Sequence, residues 1–346
     1  MKRPNALGVL AFTLFMSMMV SAQAQAFDVG GLSYEVTGAT TVEVTGRASG
    51  NTDTEIVIPS SVSDSGTTYA VTTIRDFAFY QNTLTSVTIG NSVTTIGEYA
   101  FYFNDLTSVT IPNSVTTIPD AAFGENALTS VTIPYSVTTI GAAAFYDNAL
   151  MSVTIPNSAT TIGVNAFASN DLTSVTIPDS VTTIGAAAFF QNALTSVSIG
   201  NSVTTIGVNA FTLNLLTSVT IPNSVTTIDG GAFYENALMS VTIPDSVTFI
   251  GTNTFSVNNL TSVTFLGDFG TFSLDMFALN GSLETICTME GASGWPQIFL
   301  PDTGPSGSVT STTCGSPATP VPSMPLFGLL ALGGLLGLFG LRKLKK

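Results

Sequence analysis

Histidine is absent from all 346 residues, tryptophan occurs once, cysteine twice, and only 9% of positions are charged. Without histidine there is no His-assisted serine or cysteine nucleophile and no His-ligated zinc. Lysine is missing from the whole interior: Lys2 and Arg3 open the chain, Arg342, Lys343, Lys345 and Lys346 close it, and only Arg47 and Arg75 lie between. That removes Schiff-base chemistry and a phosphate-gripping lysine. All 22 acidic residues fall within 27–320, so this stretch carries a formal charge of −20, which repels nucleic acid and anionic lipid. Carboxylate pairs remain as an acid–base option, yet Asp and Glu stand singly in polar loops, with no apolar setting to drive two pKa values apart. No loop has the Asp/Asn spacing of an EF-hand or a calcium β-roll. The chain therefore reads as non-enzymatic, with no cofactor, no metal and no nucleic-acid partner.

The ends read as address labels. Residues 1–26 combine a short basic start, an apolar run from Leu7 to Val20, and Ala22, Ala24 and Ala26 at a spacing suited to signal-peptidase cleavage. The alternative is a membrane anchor that stays attached. Near the other end, Cys287 and Cys314 lie beyond the regular part of a chain bound for an oxidising compartment. They read as a disulfide contributing on the order of 3 kcal/mol, with two free thiols as the alternative. A Pro/Ser/Gly/Thr-rich stretch then leads to Leu326–Leu341 and a basic tail, 342–346. Sixteen residues at about 1.5 Å each fall short of a typical hydrocarbon core, so this is either a short single-span anchor or a processing signal. The Val321-Pro322-Ser323-Met324-Pro325 motif, span and tail resemble the PEP-CTERM-like C-terminal sorting signals handled by exosortase-type transpeptidases. That resemblance implies contact with the inner membrane, at least transiently, and then release to the surface. It departs from the namesake Pro-Glu-Pro motif.

Between the ends the sequence repeats every 22 residues without insertion or deletion, on Leu84, Leu106, Leu128, Leu150, Leu172, Leu194, Leu216, Leu238 and Leu260. The shared pattern is L-T-S-V-T-I-P-x-S-V-T-T-I-G-x-x-A-F-x-x-N-x. Each copy offers one apolar set, such as Leu106, Val109, Ile111, Val115, Ile118, Ala122 and Phe123, which a single copy cannot bury. Stacked copies can, because each covers the apolar edge of the next, and the spacing predicts a β-rich repeat solenoid. Ser108-Val109-Thr110-Ile111 alternates polar and apolar and predicts a short strand pairing in parallel with its equivalents, ended by proline. Val115 to Ile118 predicts a second extended piece, and segments such as 141–146 a tight helical or 3₁₀ turn.

Within that frame the Phe column from Phe79 to Phe277 is expected as a core spine. The Asn column, including Asn104, Asn126, Asn148, Asn170, Asn192, Asn214 and Asn236, is expected to satisfy backbone groups in the turn, with a line of metal or ligand contacts as the alternative. Leu32, Tyr34 and Val36 with Val42 and Val44 read as a β-hairpin cap within 27–58. The solenoid is expected over 59–282, with a surface loop around Ser63-Asp64-Ser65-Gly66. A C-terminal cap holding the disulfide is expected over 283–316, with large rings at Phe265, Phe269 and Phe272 closing the core and a register slip at Gly281, then a linker and sorting motif over 317–325.

The pattern L-x-x-V-x-I-P-x-S-V-x-x-I-x-x-x-A-F-x-x-N resembles the BspA-like, Treponema-type leucine-rich repeats over about residues 56–280. That resemblance implies a secreted or surface protein, several relatives being adhesins. Side chains flanking the buried Val then form a two-column hydroxyl face: Ser108 and Thr110, Ser130 and Thr132, Ser152 and Thr154, Ser174 and Thr176, Ser196 and Ser198, Ser218 and Thr220. Rungs of about 4.8 Å make it a candidate face for extracellular protein or polysaccharide. Rival readings are plain strand-forming preference, a passive rod in an extracellular polysaccharide matrix, and an ice-contacting ladder. Variation between copies concentrates in the turn, for example Glu98-Tyr99 against Ala142-Ala143.

Overall fold

The structure, a computed structural model, describes residues 25–267, 271–272, 275–281, 283, 285–288 and 310–313. Residues 1–24 of the expected targeting segment 1–26, the linker and sorting motif with Val321, Pro322 and Pro325, the span 326–341, the tail, Phe269 and Cys314 lie outside the described residues, while Ala26 opens the first strand. Among the described residues no helix is long and apolar enough to cross a membrane.

The repeat winds into a stack of coils held by two parallel ladders. One ladder takes the Ser-Val-Thr segments, from Ser86–Ile89 through Ser108–Thr110 and Ser130–Thr132 to Ser262–Phe265. The other takes the two-residue Thr-Ile segments, and its eight strands run without a break from Thr117–Ile118 to Thr271–Phe272. Each rung pairs with its own equivalent one period on, as Val109 does with Val131 and Ile140 with Ile162. Parallel pairing of identical segments is what puts like side chains above one another, so each apolar column closes on itself. Leu106, Val109, Ile111, Val115, Ile118, Ala122 and Phe123 are all buried. The ten Phe rings from Phe79 to Phe277 form one continuous stack, with centroids 5.4–5.7 Å apart.

The segment expected as a helical or 3₁₀ turn is neither: residues 142–145 are hydrogen-bonded turn, and no helix occurs among the described residues. The reason is inter-coil bonding. Ala143, Phe145 and Asp147 donate their N–H groups to Val164, Ala166 and Ala168 of the next coil at 2.7, 2.9 and 3.0 Å, so only alternate N–H groups, such as Tyr146 N to Ala143 O at 3.0 Å, bond within the turn and no continuous helical ladder forms. Two positions per coil reach this geometry only with positive φ, at Ala143 (φ 52) and Asp147 (φ 50) in this coil. Among these turn positions Val257 (φ 55) is a β-branched residue in a region that disfavours it. Val257→Asn is expected to raise stability by about 1 kcal/mol, read as a higher denaturation midpoint. No change in midpoint would mean that neighbouring coils, not the side chain, set this strain.

The N-terminal cap is larger than a hairpin. Strands β1 (Ala26–Val29), β2 (Leu32–Gly38) and β3 (Thr41–Arg47) pair antiparallel in sequence, and β3 then pairs in parallel with β6 (Thr67–Ile74). Strand β4 (Glu55–Ile58), assigned by sequence to the cap, is instead the first rung of the Ser-Val-Thr ladder, opposite Ser86–Ile89. The expected surface loop is a tight hairpin between β5 (Ser61–Asp64) and β6, with Ser65 and Gly66 both at positive φ, the geometry of a type I′ turn. Its extra residues give the cap a strand, and β6 pairs in parallel with Thr95–Ile96, so the cap sheet takes in the first Thr-Ile segment and the eight-stranded ladder begins one coil later at Thr117–Ile118. Arg75 clamps this junction: its guanidinium bonds Glu43 and Glu35, and those hydrogen bonds, Glu43 first, hold its pKa above the ordinary value. Buried Tyr34 seals the cap, and desolvation pushes its hydroxyl pKa up to about 12.

At the far end Phe265 is buried edge-on to Phe277 at 6.2 Å. The register then lengthens: Ser262 pairs with Thr285, and Thr285 with Thr310, continuing the ladder through Thr310–Thr313. Cys287 sits on the first of these two added rungs, opposite Thr312, and no described cysteine is free.

Candidate functional surface

In every copy the Val of Ser-Val-Thr points inward while its neighbours face solvent. Ser108, Thr110, Ser130, Thr132, Ser152, Thr154, Ser174, Thr176, Ser196, Ser198, Ser218 and Thr220 are all exposed, so the structure does bring them to one face. Their hydroxyls make no hydrogen bond to other described residues. The ladder beneath them is interrupted, however. Ser152–Thr154 contributes one isolated bridge, Thr132 to Thr154, and Ser218–Thr220 forms no strand. Backbone contacts around the first gap stretch to 3.5 Å at Met151 to Thr129 and 3.4 Å at Thr173 to Met151. The hydroxyl face is therefore three sheet segments, not one uniform lattice.

Sequence reasoning missed a second threonine column, on the Thr-Ile side. Thr138, Thr160, Thr204, Thr226 and Thr248 are exposed there, and each hydroxyl donates to a backbone oxygen one coil back at 3.1–3.3 Å. Backbone bonds on this side are short, as with Thr160 N to Thr138 O at 2.8 Å. The signal was present in the alternation before each buried Ile. The two sides are mixed: Thr195 and Thr261, next to the Ser-Val-Thr segments, also donate to a backbone oxygen one coil back, whereas the exposed Thr161 and Thr183 hydroxyls of the Thr-Ile side bond no other described residue.

The Asn column lies inside the turn. In Asn170, Oδ1 accepts from Leu150 N at 3.0 Å, while Nδ2 donates to Phe145 O, Phe167 O and Ala168 O at 2.9, 3.2 and 3.2 Å. Asn104, Asn126, Asn148, Asn192, Asn214 and Asn236 repeat the pattern, each reaching the preceding coil. With both amide atoms engaged by backbone, this column presents nothing to a ligand. Among the described residues no group of His, Cys, Asp and Glu could hold a metal ion.

One acidic side chain departs from its column. Asp229 stands where most coils have glycine, and burial pushes its carboxyl pKa above the ordinary value. A carboxyl raised in the folded state stabilises below its unfolded pKa, about 3.9, and loses that contribution as pH rises through the folded value. Asp229→Asn is therefore expected to stabilise the protein at pH 7 but not at pH 3, measured by thermal unfolding at both. Equal effects at the two pH values would sink this assignment.

Residues 72–194 and 182–293, together more than half of the chain, match the BspA type leucine rich repeat region. The chain belongs to the BspA-type leucine-rich repeat family. Solved structures agree with the fold. This BspA-type chain is 25% identical to a leucine-rich repeat protein from Bacteroides ovatus, with TM-score 0.65 over 83% of this chain and 78% of that one. It is 26% identical to a leucine rich cell surface protein from Faecalibacterium prausnitzii, with TM-score 0.50 over 86% of this chain and 97% of that one. No curated protein matches it.

Proposed function

We propose that this BspA-type protein is a non-enzymatic, exported cell-surface protein that binds extracellular protein or carbohydrate through its Ser-Val-Thr face. The carrying observation is that the two columns flanking the inward Val, Ser108 and Thr110 through Ser218 and Thr220, are exposed on one face and their hydroxyls bond no other described residue. Exposed hydroxyls both donate and accept, which suits polar partners. The family membership and the surface location of the Faecalibacterium relative support export. In this reading residues 1–26 are removed, the 321–325 motif and following span direct sorting, and Cys287 pairs with Cys314.

Fractionation of native cells with external proteolysis and intact-mass measurement tests the location. Digestion from outside and a product ending near 321–325 are expected. Full protection with an intact C-terminus would overturn surface exposure. Binding is tested on extracellular material from the same cells: Thr154→Arg, Thr176→Arg and Ser198→Arg together should lower retention at least tenfold. A passive rod would be indifferent to them.

A further inference from the structure

Large rings at the variable turn positions are concentrated in two adjacent coils. Phe77 lies parallel to Tyr99 with centroids 5.0 Å apart, and Tyr80 parallel to Tyr102 at 5.9 Å. The two stacks meet edge to face, Phe77 with Tyr80 at 5.9 Å and Tyr99 with Tyr102 at 5.5 Å. In the third coil the equivalent positions hold Ala121 and Gly124, so the paired stacks stop there; beyond it the Tyr80 column has single rings at Tyr146, Phe190 and Tyr234, with no ring beside them in the Phe77 column.

Fold stability does not explain these rings. Phe77 is 55% exposed, Phe103 50% and Tyr80 38%, although burying such a side chain is ordinarily worth about 1.5–3 kcal/mol. Phe77, Tyr99 and Phe103 also hold positive φ, at 59°, 56° and 58°, where a bulky residue is strained. Later coils place Asn165, Asn209 and Asn253 in the column of Phe77 and Tyr99. Exposure and strain thus coincide at Phe77 and Phe103.

The rim is acidic. Asp76 and Glu98 precede Phe77 and Tyr99, Asp105 and Asp120 are exposed nearby, and Glu125 accepts the Tyr102 hydroxyl. Arg75 is engaged by Glu43 and Glu35, and the chain has no other Lys or Arg between it and Arg342. We propose that Phe77, Tyr80, Tyr99, Tyr102 and Phe103, with Asp76 and Glu98, form a docking patch for an arginine- or lysine-bearing segment of a partner protein. Cations are attracted to ring faces and carboxylates alike, and a patch of one sign steers the opposite sign towards it. Like charge disfavours a second copy of this chain and anionic polymers. The inference rests on the reading of the protein as an extracellular binder, and it adds a site on the turn side and a partner chemistry.

The test uses the full chain in detergent, with fluorescein-labelled octa-arginine as the probe and cellohexaose as its neutral counterpart, at physiological salt. Phe77→Asn with Tyr99→Asn introduces the residue that later coils already accept, and Tyr80→Ala matches Ala168. Either variant is expected to weaken peptide binding at least tenfold, whereas Asp179→Asn with Asp245→Asn, remote on the acidic surface, should change it less than twofold. Equal loss from the remote pair, or none from the ring variants, would reduce the binding to net charge and overturn the proposal. Ring-dependent binding of cellohexaose with the peptide silent would overturn the partner class. Failure of external proteolysis on cells would instead strike the reading of surface exposure, leaving these affinities unaffected.

Discussion

Asn170→Ala is expected to lower unfolding free energy by about 3–5 kcal/mol, because one amide serves four buried backbone groups in two coils. A single net hydrogen bond is worth about 1 kcal/mol, but each buried group left unpaired costs about 1–3 kcal/mol, so the desolvation side dominates. Asn170→Asp separates donor from acceptor. It keeps an oxygen facing Leu150 N but turns a second oxygen towards the carbonyls of Phe145, Phe167 and Ala168. Ionised, that group is repelled, so its folded pKa rises. The variant should be most stable below about pH 4 and lose stability as pH rises through the folded value. Denaturant unfolding at pH 7 and pH 3.5 checks both. A loss below about 1 kcal/mol for Asn170→Ala would mean that the carbonyls find other partners.

Phe189→Ala is expected to cost about 3–5 kcal/mol and Phe189→Leu about 1 kcal/mol. Phe189 is fully buried and stacks on Phe167 at 5.5 Å and on Phe211 at 5.4 Å, so removing the ring opens a cavity shared by three coils. In a linear array each coil is held only by its neighbours, so the damage should be local. Amide exchange is expected to accelerate most across the coils of Phe167, Phe189 and Phe211, with the cap strands unaffected. Uniform acceleration along the chain would contradict nearest-neighbour stability.

The candidate surface was half legible in the sequence. Alternation in Ser108-Val109-Thr110 fixes which side chains face out, since successive residues of a strand point to opposite faces. Whether a hydroxyl is free or engaged was not legible, because adjacent threonines of one segment differ: Thr160 donates to Thr138 O one coil back, whereas the Thr161 hydroxyl bonds no other described residue. Nothing in the copy containing Ser218 marks it as the rung that fails to pair. The aromatic turn positions were visible only as variation, because ring stacking between coils is a contact across 22 residues.

The exact 22-residue period and its apolar columns alone determined the solenoid, its parallel pairing, its buried Phe column and its backbone-satisfying Asn column. They could do so because every copy repeats one local instruction, and stacking like on like is the arrangement that buries all seven apolar positions at once. Tertiary structure alone decided the turn conformation, the merging of cap and solenoid through β4 and β6, and the segmentation of the hydroxyl face. The physical reason is shared by all three. Each depends on where a backbone N–H finds its acceptor, and for the deciding bonds, such as Ala143 N to Val164 O, that acceptor lies in another coil, at a distance no single copy of the repeat encodes.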